Sequence, residues 1–127
     1  MTNYIAFTGH RNKITDPSYL DRIAAHYPNA VWVQGEAKGF DSQVKAYALA
    51  HDIPVESHPP NYTRYGRGAP FVRNRAMVDR AEIVIACYDL RATGGTVYTM
   101  KYAKKTGKKV FVVPAFSPDS HVQNDER

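Results

Sequence analysis

Cysteine is almost absent from this chain: Cys87 stands alone among 127 residues. One thiol cannot build an internal disulfide framework, and its scarcity suits a reducing compartment, so a cytoplasmic location is expected. Cys87 ends the apolar run Glu82-Ile83-Val84-Ile85-Ala86-Cys87 and reads as a small core residue rather than a nucleophile. Long apolar runs are missing as well. None approaches the roughly 20 residues of a membrane span, and Met1-Thr2-Asn3-Tyr4 lacks a secretory-leader pattern. No membrane partner is expected. The five histidines are scattered, and no Cys/His or Asp/Glu spacing resembles a ligand set, so no metal is expected. Neither a GxGxxG fingerprint nor a Walker A loop occurs, and no cofactor is expected.

What is present is a balance of 43% hydrophobic and 23% charged residues, which is that of a soluble chain with a real core. The length suits one domain over residues 1–116. The polar stretch 117–127 has no periodicity and is expected to lack structure. Net charge is +5, which favours anionic partners without choosing among them. Lys101, Lys104, Lys105, Lys108 and Lys109 fit a solvated helix face and its exit. Arg64, Arg67, Arg73 and Arg75 are harder to explain that way, because glycine and proline surround them.

Five short runs rich in Val and Ile read as strands: Tyr4–Thr8, Ala30–Gln34, Ile53–Ser57, Glu82–Cys87 and Lys109–Val113. They are mostly continuous rather than alternating, as in strands buried on both faces of a parallel sheet. Helical spacing separates them. Asp16-Pro17 supplies an N-cap and an N1 proline ahead of Leu20, Ile23, Ala24 and Tyr27. Phe40, Val44, Tyr47 and Ala48 mark a second helix, and Pro70 opens a third. Val97, Met100 and Ala103 mark a fourth, ended by Gly107. Alternating β and α elements with right-handed crossovers give an α/β fold, a three-layer α/β/α sandwich on a five-stranded, mostly parallel sheet. The connection His58–Ala69 is long for a βα loop.

Ligands of such sheets bind beyond the carboxyl ends of the strands. There the chain places Thr8-Gly9-His10-Arg11, then Gly35 with Gly39 and Asp41, then Tyr62 to Arg67, then Gly94-Gly95-Thr96. The opposite connections are plain. Strand, glycine-rich turn and helix at Gly94-Gly95-Thr96 aim free backbone N–H groups at an anion, although the same glycines suit a tight turn. Arg73 and Asn74 open the third helix, and an arginine–phosphate hydrogen bond is worth roughly 1.5–3 kcal/mol. Asp41 also suits the N-terminus of the second helix. Tyr62 and Tyr65 either pack the long loop or stack on a base.

At these residues the chain resembles the SLOG superfamily, which includes the LOG phosphoribohydrolases and the DNA-processing protein DprA. The resemblance runs over most of residues 4–114. It rests on Thr8-Gly9-His10-Arg11, on Gly35 with Gly39-Phe40-Asp41, on Tyr65-Gly66-Arg67 with Arg73-Asn74-Arg75-Ala76-Met77, and on Gly94-Gly95-Thr96. It implies a Rossmann-like fold, a nucleotide-type ligand across these loops and a homo-oligomer. The strand order follows from the resemblance, not from periodicity. The LOG hydrolases carry a catalytic glutamate that falls at Thr99 here, and the lysine after their helix arginine falls at Asn74. The binding half of the site is kept and the usual catalytic carboxylate is missing, with Glu36 and Asp41 as the substitutes at hand. No catalytic residue is assigned.

The expected ligand residues are therefore Thr8, Gly9, His10, Arg11, Gly35, Gly39, Asp41, Tyr65, Arg67, Arg73, Asn74, Gly94, Gly95 and Thr96. A nucleotide-binding sensor or carrier accounts for them first. An enzyme acting on a nucleotide's N-glycosidic bond comes second. A single-stranded nucleic-acid binder comes third, resting on Tyr62, Arg64, Tyr65 and Arg67.

Overall fold

A computed structural model of the chain describes residues 3–118. Its elements in chain order are β1 (Tyr4–Gly9), α1 (Pro17–His26), β2 (Val31–Gln34), α2 (Phe40–Ala50), β3 (Val55–Ser57), α3 (Tyr62–Tyr65), a 3-10 turn (Gly66–Gly68), α4 (Ala69–Arg80), β4 (Ile83–Tyr88), α5 (Gly95–Lys105) and β5 (Lys109–Pro114). All five expected strands form one parallel sheet in the order β3-β2-β1-β4-β5. This is the α/β Rossmann-like fold. The expected tail lies outside the described residues from 119 onward. Among the described residues no helix is long and apolar enough to cross a membrane.

The continuous apolar runs are explained by burial on both faces. Along β1, Ile5 and Phe7 point toward α1 and α2, where they meet Leu20, Ile23, Phe40 and Val44. Ala6 points the other way with Val33 and Val84, against Met77, Val78 and Ala81 of the α4 side and Ala103 of α5. Phe7 is central to the first layer: its ring lies 4.6 Å from Trp32 and 6.1 Å from Phe40, centroid to centroid. Cys87 is buried, and burial pushes its thiol up to about 12, so it behaves as a core residue.

Local signals set the helix starts. Asp16 accepts from Ser18 N–H at 2.9 Å, with Pro17 at the first helical position. One element departs from the expected plan. The connection His58–Ala69 contains α3, started by Asn61 Oδ1 accepting from Arg64 N–H at 3.0 Å. A single capped turn has no apolar period, so the pattern along the chain did not reveal it.

From β1 the chain builds outward through β2 and β3, then returns to β4 on the other side of β1. The connections leaving β1 and β4 therefore diverge and open a crevice at the carboxyl edge. Removing the ring that anchors the α1/α2 layer should cost much stability. Phe7→Ala is expected to lose roughly 3–5 kcal/mol in denaturant unfolding; a loss below about 1 kcal/mol would show that the layer does not depend on it.

Candidate functional site

A cavity of about 520 Å³ fills that crevice. Four strand exits and α4 line it. β1 contributes Thr8, Gly9, His10 and Arg11. The β2–α2 loop adds Glu36, Ala37, Lys38 and Asp41. α4 adds Arg73, Asn74 and Met77, and the β4–α5 connection adds Arg91, Gly95 and Thr96. Pro60, Tyr62 and Pro70 close one side. Cations and glycines are thus brought to one place by the parallel topology.

The Gly35 peptide is held from both sides. Its N–H donates to Asp41 Oδ2 at 3.2 Å, and its carbonyl accepts from Arg73 Nη1. A side chain here would collide with Arg73, whose Nη1 lies 2.5 Å from where a Cβ would stand. Asp41 Oδ2 also accepts from Ala37 N–H at 3.1 Å. Asp41 is only 6% exposed. Burial pushes its carboxyl up to about 6, against the pull of the two N–H groups and Arg73. Burial likewise lowers the Arg73 guanidinium from its ordinary value, with Asp41 opposing. It remains a cation, because guanidinium starts so far above neutrality.

Arg73 does more than offer charge. Its Nε donates to Asn74 Oδ1 at 2.7 Å, which fixes the amide orientation: the oxygen is engaged and Nδ2 is left as a donor. Asn74 Nδ2 lies 3.8 Å from the position a Cβ on Gly95 would take. Gly94, at φ 126°, caps α5, and Tyr98 N–H is the first to bond back, to Gly94 O at 2.9 Å. The N–H groups of Gly95, Thr96 and Val97 precede that bond and have no partner within the helix. Together they form a donor-only pole suited to an anion.

Glu36 braces the other rim. The fully buried Gln34 donates from Nε2 to Glu36 Oε2 and to Ser57 Oγ, each at 2.6 Å, and accepts from Glu36 N–H at 2.6 Å. Lys45 Nζ meets Glu36 Oε1 at 3.0 Å. These bonds, led by Gln34, hold the Glu36 carboxyl below its ordinary value. Glu36 is thereby engaged in structure, while Asp41 keeps one oxygen open. At the mouth, Arg91 pairs with Asp89 and holds that carboxyl well below the usual range. His10 is buried, with Nε2 3.1 Å from Asp89 Oδ1 but out of line for a hydrogen bond. Burial first, then Arg91, lowers its pKa against Asp89, so the ring is neutral at pH 7. Leu90 stands beside them 82% exposed at φ 71°, a conformation unfavourable for a bulky residue.

Of the residues expected at a ligand, Thr8, Gly9, His10, Arg11, Asp41, Arg73, Asn74, Gly95 and Thr96 line the cavity. Gly35 does not line it but bonds Asp41 and Arg73, which do. Gly39, at φ 89°, would place a Cβ 2.8 Å from the backbone of Asn12 and Lys13, so it packs the β2–α2 loop onto the β1 exit. Gly94 shapes the α5 cap without lining the cavity. Tyr65 and Arg67 lie on α3 and the 3-10 turn outside it, with Tyr65 in a separate cleft beside His58 and Val72. Arg64 covers the Tyr65 ring at 5.3 Å. Thr99 is 1% exposed and donates to Gly95 O at 2.8 Å, away from the lining. Lys38 and Arg91 were missed. Lys38 falls inside the glycine-bounded loop, a signal that was readable; a lone cation such as Arg91 carries none.

The Asp41 environment sets a pH response. Its folded-state pKa is raised from about 3.8 to about 6, so the folded state binds the extra proton between those values. Stability from this group is therefore full below about pH 4 and lost as pH rises through about 6. The stability difference between the unaltered chain and Asp41→Asn should fall by up to about 3 kcal/mol from pH 4 to pH 7. Denaturant midpoints across that range check it; a pH-independent difference would refute the raised value.

The family model described as YAcAr (YspA, cpYpsA-related SLOG family) matches residues 4–65. That span covers β1 through α3 and so includes the β1 exit and the Gly35–Asp41 loop. Arg73-Asn74 and Gly94-Gly95-Thr96 lie beyond it. No curated protein matches the chain. The family match, on a doubly wound sheet with its crevice at the β1/β4 switch, supports membership of the SLOG superfamily, which is consistent with a nucleotide-related function.

Proposed function

We propose that this chain binds a nucleotide or nucleotide-derived ligand in the carboxyl-edge cavity and serves as a sensor or carrier of it. The convergence of the α5 N-terminus, Asn74 Nδ2 and the cations Arg11, Lys38, Arg73 and Arg91 on one cavity carries this reading. Such a pole binds phosphate through dipole and hydrogen bonds together. The volume of about 520 Å³ falls within the range of small-molecule sites. Tyr62, 56% exposed and lining the cavity, offers a ring face to a base. A nucleic-acid groove is less supported, since Tyr62 and Tyr65 face different clefts.

One observation favours a second reading, cleavage of a nucleotide's N-glycosidic bond. Asp41 lines the cavity with a carboxyl at about 6, a value suited to acid–base work near neutrality.

Native mass spectrometry of the purified chain after incubation with mononucleotides, dinucleotides, ADP-ribose and NAD separates the two. An intact nucleotide retained, with no free base in solution, is the expected outcome. Released base would put the hydrolase first, and no retention of any member would refute the binding reading. Gly95→Val is expected to fold, because nothing closer than Asn74 Nδ2 at 3.8 Å meets a Cβ there, and to weaken retention at least tenfold by filling the anion pole. A folded Gly95→Val chain that binds normally would make the turn purely structural.

A further inference from the structure

The two oxygens of Asp41 are unequal. Oδ2 accepts both loop N–H groups, from Gly35 and Ala37. Oδ1 has no donor among the described residues, yet it is not sealed inside the protein, and Asp41 lines the cavity. A largely buried acceptor that opens on a cavity needs a donor from whatever occupies that cavity. Water can supply it in the free protein. A ligand that displaces this water must offer a donor of its own or lose affinity.

The position of this acceptor narrows what the donor can be. Asp41, Gly35, Arg73, Asn74 and Gly95 form a chain of neighbours: Asp41 bonds Gly35, Arg73 bonds Gly35 and Asn74, and Asn74 Nδ2 approaches Gly95. An anion held at the Asn74–Gly95 end is repelled by the Asp41 carboxylate when that group is ionised. The group facing Asp41 must therefore carry no negative charge, offer a hydrogen-bond donor and be joined closely to the anion. In a nucleotide the sugar meets all three conditions. The base offers N–H donors only farther from the phosphate.

Resting on the nucleotide reading above, we infer that Asp41 Oδ1 accepts from the sugar hydroxyls of the ligand, so that the site selects ribose over sugars lacking those hydroxyls. Arg73 supports this selection as a positioning residue: by holding the Gly35 carbonyl it keeps the Gly35 N–H directed at Oδ2 and leaves Oδ1 for the ligand.

The test compares the affinity of the purified chain for ribonucleoside monophosphates with that for their 2′-deoxy and 2′,3′-dideoxy forms, base for base. The ribo form is expected to bind at least tenfold tighter than the dideoxy form, the scale of one charge-assisted hydrogen bond. Asp41→Asn retains an acceptor oxygen for Gly35 and Ala37 but turns an amide donor toward the cavity. It is expected to stay folded and to reduce the preference to below about twofold. Equal binding of ribo and dideoxy forms by the unaltered chain overturns the inference while the nucleotide site stands. A folded Asp41→Asn chain with its full preference overturns it too. Failure to bind either series overturns both the inference and the nucleotide site. If Asp41→Asn does not fold, the preference of the unaltered chain alone decides.

Discussion

Arg73 reaches from α4 to the carbonyl of Gly35 at the end of β2, while Asp41 of α2 takes the N–H of the same residue. This doubly held peptide ties two helices on opposite faces of the sheet to one strand exit. Much of the site's chemistry depends on it. It requires glycine at 35, since a Cβ would occupy the guanidinium's place. It buries a carboxyl that is consequently hard to ionise. It also orients the Asn74 amide, whose free nitrogen then faces the start of α5.

Burying an arginine beside a carboxyl is not a stabilising device in itself, because desolvation offsets much of the attraction. What the pair provides is geometry: a donor pole near α5 and one open acceptor at Asp41, at fixed places in one cavity. The remaining charges are arranged so that they do not compete. Glu36 is engaged by Gln34, Ser57 and Lys45, and Asp89 by Arg91. Asp41 is thereby the carboxylate of the lining with one oxygen that takes no donor among the described residues.

The strands were legible because burial on both faces leaves continuous Val and Ile runs, and the helices because Asp16-Pro17, Pro70 and Gly107 punctuate them. Strand order was not encoded in any local period and came through the resemblance to a family. The asymmetry between the two sheet edges located the cavity, since every glycine but Gly107 falls at the carboxyl edge. The roles within it were less legible. Arg73 reads as a free phosphate anchor along the chain, whereas two of its nitrogens are taken by partners at positions 35 and 74. Gly39 and Gly94 read as ligand glycines, yet their positive φ serves packing and capping. Tyr65 sits on the capped turn α3 and Arg67 on the 3-10 turn that follows, both outside the cavity lining. Each of these outcomes depends on a contact across the fold, which spacing along the chain does not carry.

Backbone amide shifts in the ¹⁵N-labelled chain on addition of pooled ribonucleoside monophosphates test the central claim most directly. The largest shifts are expected at Gly95 and Thr96, with further shifts at Gly35 and Ala37 on the Asp41 side. Unmoved amides there, or shifts confined to the groove of Tyr19, Ile23 and Phe111 between α1 and β5, would contradict a ligand site at the carboxyl edge.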